Sequence, residues 1–582
     1  MTADAVDAWL TTAVDEGLVL APGAVQADED GSFRISTTLA VGGLSVGVII
    51  LLAHDFPKDA PSVLLEDGHL LGRLPHVFRN AGVVCYSTSE GLLLNRRRPE
   101  TVLTWTVKET VRTLEDGLSS NQTAEFMREL EVYWGQLGGT AWVNLFNPSA
   151  EARTLTGYVA NGGLRWVAGT PAELPSLYRE LSKRPTTVTE NVAYLPLLPG
   201  TAFIPPGPDE PFWTIGQLRE LVRPTLAAMP PKRRRQLYKS SDSWSGFLVL
   251  AIPVPGREQA VTLLGVAFKS PKGFHPLGER GAAIELTPVQ LVRWERSYLL
   301  PRGGGKMELT EKKVLLIGCG AIGGHLAHEL VRAGIQHLTL VDKDELSVEN
   351  MHRHALGMSG IGKNKSLALR EELQHKYLYA EITAVTKSIE QALDTQEVNP
   401  EAFDLIIAAT GVATLERYLN ERLRALPGSP PAIYTWLEPY GIGGHALLTW
   451  PNQAGCLECL YTSPNLDAPL ANRALFAAPN QQFSLALSGC GSLHTPYASL
   501  DASQTATLAA RLAVEALTGR QLESPLWSWK GNDQALKAAG FKVGPRYQVK
   551  EEVLRREATL YVVPDCPVCG PATGSEAVNN HE

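Results

Sequence analysis

Apolar and polar positions alternate with period two across FRISTTLAV (33–41) and LSVGVIILLA (44–53), which predicts two antiparallel strands. The segment Ala3–Glu16 ahead of them reads as a helix. An irregular stretch then runs from His54 to about Asn95 and carries Pro57, Pro61 and Pro75. Pro99 opens a second helix, with Leu103, Val107, Val111 and Leu114 on one face. Residues 1–140 are therefore expected to form a small α+β domain of meander, loop and helix.

Residues 141–304 mix short strands (RTLTGYVA, GFLVLAIPV, AVTLLGVAFK) with proline-rich connectors around 195–211 and 223–231. They hold no catalytic constellation and are expected to be a mixed α/β docking or spacer domain. Pro301–Gly305 reads as a linker. From Lys312 the pattern becomes strand (KKVLLIG), glycine turn, helix (HLAHELVRAG) and strand (HLTLVD), the βαβ start of a doubly wound, Rossmann-like sheet. FDLIIAAT (403–410) supplies a further strand. The chain is thus expected to be α/β and multidomain, with a third domain at 305–582.

A length of 582 residues fits that division. Hydrophobic content of 44% with 20% charged residues is ordinary for a globular protein, and no apolar run is long enough to cross a membrane. MTADAVDAWLTTAVDEG lacks the basic and apolar regions of an export signal, so a cytoplasmic location is expected. A net charge of −8 argues against nucleic-acid binding. Seven cysteines, an odd number, include two CxxC pairs, which suggests a reduced protein with a metal site.

Gly318, Gly320 and Gly323 follow a strand and open a helix, so the backbone there can approach phosphates. Asp342 ends the next strand, where a carboxylate meets ribose hydroxyls. That much would suit a dinucleotide. The polar run that follows places Asp344, Asn350, Arg353 and Lys365 close together, and its fixed positive charge suits a triphosphate instead. Cys456, Cys459, Cys566 and Cys569 form two CxxC knuckles, a closed thiolate set expected to hold structural zinc.

With these residues, 305–570 resembles the ThiF, MoeB and ubiquitin-activating superfamily of enzymes that adenylate protein carboxylates. The resemblance implies that Asn350, Arg353 and Lys365 hold ATP and that the domain is a homodimer. The chain departs from the family where an aspartate normally helps hold Mg2+ after the later strand. It reads Ala408-Ala409-Thr410-Gly411, so either Asp344 or Asp404 takes that task or the metal step is altered.

Two cysteines outside the zinc set and the glycine turn are candidate nucleophiles. Cys490 lies in a loop of small residues, LALSGCGSLHTPYASLDA, able to bend toward an acyl-adenylate, with His494 nearby to raise its thiolate fraction. Cys85 lies in a segment that resembles the catalytic segment of ubiquitin-conjugating enzymes: Gly82-Val-Val-Cys85 matches their G-x-x-C. Pro75-His76-Val77 stands where those enzymes have histidine–proline–asparagine, which makes His76 a catalytic candidate and leaves Asn80 or Asn95 to replace the asparagine.

The fusion resembles the activating–conjugating proteins of bacterial antiphage CBASS systems. That resemblance implies activation of a partner's free C-terminus, a thioester on Cys490, transfer to Cys85 and conjugation to a target lysine. The implied partner is a cGAS/DncV-like nucleotidyltransferase, or alternatively a bacterial ubiquitin-like protein. A sulfur-carrier adenylyltransferase and a non-catalytic scaffold are the other readings.

Overall fold

The computed structural model describes the chain apart from residues 67–73, 79–81, 89–90, 120–121, 160–162, 170–186, 207–210, 240–244, 258–259, 270–274, 279–283, 463–470, 487–492 and 571–582. The described residues divide into two units, one through Glu295 and one from Arg296. Among them no helix is long and apolar enough to cross a membrane.

The first unit opens with α1 (Ala3–Asp15), followed by strands β1 (Ala21–Ala27), β2 (Phe33–Val41), β3 (Leu44–Leu52) and β4 (Ser62–Leu65), paired in that order. The alternation is realised: Ile35, Leu39, Val46, Val48 and Ile50 are buried on one face of the hairpin, where α2 (Pro99–Leu118) adds Val102, Leu103, Val107 and Leu114. Gly42 and Gly43 join β2 to β3 with φ of 54° and 82°, the left-handed pair a tight two-residue hairpin needs.

Seven strands follow: β5 (Thr140–Asn144), β6 (Arg153–Val159), β7 (Arg165–Ala168), β8 (Thr187–Pro196), β9 (Ser245–Pro253), β10 (Val261–Lys269) and β11 (Glu285–Arg293). They close into a barrel in the order β10-β11-β5-β7-β6-β8-β9. Helix α3 (Gln122–Gln136) seals one side with Met127, Leu130 and Trp134, joined by Trp213 from the proline-rich connector. Closure was not legible in the strand pattern, because it depends on pairing β5 in parallel with both β11 and β7.

The second unit is a seven-stranded sheet of β12 (Lys313–Ile317), β13 (His337–Val341), β14 (Glu381–Val385), β15 (Leu405–Ala408), β16 (Ala432–Leu437), β17 (Gly443–Thr449) and, after the two-residue strands β18 (Leu485–Ala486) and β19 (Leu493–His494), β20 (Leu526–Lys530). The order is β14-β13-β12-β15-β16-β17-β20, parallel up to β16 and antiparallel beyond it. The helices Ala321–Ala333 and Ser499–Leu517 pack in one core cluster with β12 and β15. The expected linker at 301–305 is corrected here. Pro301 and Arg302 end a helix, Arg296–Arg302, and a Cβ on Gly305 would meet the Leu300 side chain and the Arg332 carbonyl, so the segment is packed.

Candidate functional sites

Each glycine of the turn after β12 has its own physical reason. Gly318 has φ 91°, and a Cβ there would fall 2.6 Å from the Ala409 carbonyl oxygen. A Cβ on Gly323 would fall 1.9 Å from the Gly318 carbonyl oxygen, so the helix packs against the turn only with glycine. Gly320 has nothing within 4 Å of the position a Cβ would take and faces open space. That space is a cavity of about 220 Å³ lined by Gly320, Asn350, Arg353, Lys365, Thr410 and Tyr497, among others.

The cavity gathers the cations the sequence singled out. Lys365 begins the helix Lys365–Lys376 and lies 3.4 Å from Asp344 Oδ2, while the Arg353 guanidinium sits 4.9 Å from the Tyr497 ring centroid. Asp342 does not line the cavity wall; its Oδ2 accepts the Cys319 amide at 2.7 Å and its Oδ1 the Asp344 amide at 2.8 Å, tying the glycine turn to the end of β13. The Cys319 thiol is fully buried and its pKa is driven up by burial, with Asp342 adding to the effect, so it is no nucleophile.

Asp404 is corrected as a metal candidate. It stands before β15 and is held by the Lys313 amide at 2.8 Å and Lys312 Nζ at 3.1 Å, at the end of the strand opposite Ala409 and Thr410.

Three supporting residues were missed because nothing local marks them. His354 Nε2 donates to the Cys319 carbonyl at 2.6 Å while its Nδ1 accepts the Leu356 amide at 3.0 Å; burial lowers its pKa, in keeping with a neutral ring. Asn364 caps the Lys365 helix through Oδ1 and donates to the Asp342 carbonyl at 2.9 Å. Glu416 accepts from the Thr410 amide, the Thr410 hydroxyl and the Gly411 amide, holding the turn where the family's aspartate is absent; burial pushes its pKa up to about 7.

The four zinc candidates converge. Their sulfurs all lie within 4.8 Å of one another, with Cys456–Cys566 at 3.8 Å and Cys459–Cys569 at 3.4 Å. Tetrahedral thiolates around zinc, with Zn–S of about 2.3 Å, lie roughly 3.8 Å apart, so the donor set fits. Arg473 adds a second tie, donating to the carbonyls of Cys459 at 2.5 Å and Tyr561 at 2.8 Å.

In the first unit, Cys85 and His76 line one cavity of about 520 Å³ with Arg112, Asp116, Glu125 and Glu129. The Cys85 amide donates to the His76 carbonyl at 2.7 Å, and Val77 bridges Val84, which fixes the two segments together. Burial, then the charge of Glu129, pushes the Cys85 thiol up. Asn95 does not join them: it is turned back on its own loop, accepting the Arg97 amide at 3.1 Å. Asn80 and Cys490 lie outside the described residues, and His494 pairs with Leu485 in the β18–β19 hairpin.

Residues 296–538 match the ThiF family, and residues 20–142 match Prokaryotic E2 family B. The chain is 30% identical over 243 residues to the ATP-dependent ubiquitin transferase-like protein Cap2 of Pseudomonas aeruginosa (strain BWHPSA011 / Pa011), covering 40% of this chain and 42% of that protein. It is 26% identical over 308 residues to the protein of the same name from Escherichia coli (strain TW11681), covering 50% and 47%. It is 29% identical over 184 residues to the adenylyltransferase and sulfurtransferase MOCS3 of Aedes aegypti, covering 31% and 40%. The matches span less than half the length of these curated relatives. Among solved structures, E. coli MccB is similar at 18% identity and a TM-score of 0.33, over 47% of this chain and 69% of that one. This chain therefore carries a ThiF-family domain and, ahead of it, a prokaryotic E2 family B domain.

Proposed function

We propose that the chain uses ATP to activate the C-terminal carboxylate of a partner protein and passes the acyl group from Cys490 to Cys85 and then to a lysine of a target. The observation that carries this reading is the presence, in one chain, of a cation-lined cavity at the glycine turn and a second cavity with an accessible thiol at Cys85. In the first step a carboxylate oxygen attacks the α-phosphorus and pyrophosphate leaves, with Arg353 and Lys365 holding the redistributing negative charge. Asp342, at the end of β13 beside the glycine turn, is read as the ribose partner, and Asp344, beside Lys365, as a carboxylate that would share Mg2+. Cys490 displaces AMP, Cys85 displaces Cys490, and the lysine amine displaces Cys85. Each displacement exchanges one acyl bond for another and divides a hard transfer into easier ones.

The similarity to proteins named ATP-dependent ubiquitin transferase-like supports a protein partner. Our leading partner is a cGAS/DncV-like nucleotidyltransferase in CBASS defence, with a ubiquitin-like protein as the alternative. The domain is read as acting in a homodimer, and light scattering at the monomer mass would remove that part.

The test uses the protein encoded beside this chain. AMP should form with that protein intact and not when its C-terminal carboxylate is amidated. Equal AMP formation from both would reject carboxylate activation.

His354→Ala should loosen the Cys319 carbonyl and with it the glycine turn. We expect the KM for ATP to rise about tenfold while kcat changes less, an effect of ~1.4 kcal/mol on binding. An unchanged KM would show that the ring does not hold the turn.

A further inference from the structure

Helix α3 reaches both the barrel and the Cys85 cavity. Met127, Leu130 and Trp134 are seated in the barrel core, with Trp134 Nε1 donating to the Gly265 carbonyl at 2.9 Å. Glu125 and Glu129 line the cavity. Glu129 Oε1 lies 2.8 Å from His76 Nδ1, whereas Glu125 Oε2 lies 3.7 Å from Nε2, too far for a hydrogen bond. His76 itself has φ 64°, a left-handed backbone that is costly for a residue with a side chain and that persists when its surroundings fix it. Among the described residues lining the cavity no side-chain amide is present.

We infer that His76, positioned by Glu129 on the barrel-anchored helix, donates the hydrogen bond that stabilises the thioester carbonyl oxygen at Cys85. This rests on reading Cys85 as the acyl carrier. The acceptor amine attacks the carbonyl carbon and forms the C–N bond. The carbonyl electron pair moves to the oxygen facing His76 Nε2–H, then returns as the C–S bond breaks. The sulfur leaves with that bonding pair and takes up the proton the amine loses, so thioester and amine become amide and thiol.

An imidazole that gives Nδ1–H to Glu129 has a second N–H at Nε2 only as the cation; when neutral it presents a bare acceptor there. The hydrogen bond to Glu129, opposed by burial and reinforced by the charges of Glu129 and Glu125, raises the His76 pKa. The other groups around it are Asp116, Arg112 (paired with Glu109), the Cys85 thiol, and Tyr133, whose hydroxyl lies 3.4 Å from Glu129 Oε2. The donor is therefore present below the raised pKa and lost as pH rises through it.

To test this, Cys85 is acylated in the full-length Cys490→Ala chain by exchange with a small N-acetylglycyl thioester, with Cys85→Ala as blank. Discharge to hydroxylamine is then followed by mass from about pH 6 to about pH 9, a span that starts below the ordinary histidine pKa of ~6.5. Because the acyl group is supplied chemically, a failure of the ATP chemistry does not affect the result. We expect discharge by the otherwise native chain to slow as pH rises. His76→Ala should be about 100-fold slower without that pH step. His76→Gln, which keeps an N–H donor, should recover most of the rate with a flat profile, and Glu129→Gln should move the step to lower pH. His76→Ala with native rate and profile would overturn the assignment, as would His76→Ala and His76→Gln being equally slow. Failure of Cys85 to accept the acyl group would overturn the reading beneath it, and the assignment with it.

Discussion

Lys365→Ala should cut partner-dependent AMP formation by about 100- to 1,000-fold, the scale expected when one preorganised donor to a developing charge is removed. The Lys365 side chain is only 13% exposed and shares its cavity with Arg353 and Gly320. Removing it also leaves Asp344 without its ion-pair partner, so the cavity loses a positive charge beside a remaining negative one. Lys363 provides the control. It lies two positions away, is half exposed and pairs with Glu371 at 2.9 Å. Surface pairs of that kind contribute ~0–1 kcal/mol, so Lys363→Ala should leave the rate within about twofold. Equal losses in the two variants, read by AMP release, would mean that the loop fold and not the cavity charge is what matters.

Stripping zinc should produce the second large effect, on stability. Zinc held by the four thiolates would join Cys456 and Cys459 to Cys566 and Cys569, and these cysteines pack with Leu457, Tyr561 and the sheet residues Tyr434 and Leu447 in one cluster. Without a cation the thiolates repel one another or must take up protons. The rest of the domain keeps its own core, so the loss should be local, on the order of 3 kcal/mol, and should lower the unfolding midpoint by roughly 6–12 °C. Calorimetry before and after exhaustive chelation checks this, with metal content measured alongside. Protein purified without zinc and an unfolding midpoint unmoved by chelation would contradict the assignment.

Features whose physics is local could be read from sequence. The glycine turn is one, since Gly318 and Gly323 are demanded by backbone contacts within the turn and its neighbouring strand. The β2–β3 hairpin is another, where period two and a Gly42-Gly43 turn agree. Features made by distant pairing could not be read. Glu416 becomes useful because its helix returns it to Thr410, and His354 because a short turn brings it under Cys319. Asp404 was misplaced because closeness along the chain does not say at which end of a strand a residue lies. The pairing of His76 with Glu129 was equally hidden, since it joins a left-handed loop residue to a helix whose other side packs against the barrel. Barrel closure itself needed parallel contacts no periodicity encodes.

Movement of one acyl group between two cysteines of this chain underlies the whole proposed mechanism. It is tested most directly by incubating the native chain, Cys85→Ala and Cys490→Ala with ATP, magnesium and the protein encoded beside it, then separating the products on non-reducing gels. A reducible adduct should form in the native chain, persist on Cys490 when Cys85 is removed and be absent from Cys490→Ala. AMP formation with no reducible adduct in any of the three would contradict it and would favour an adenylyltransferase of the sulfur-carrier type.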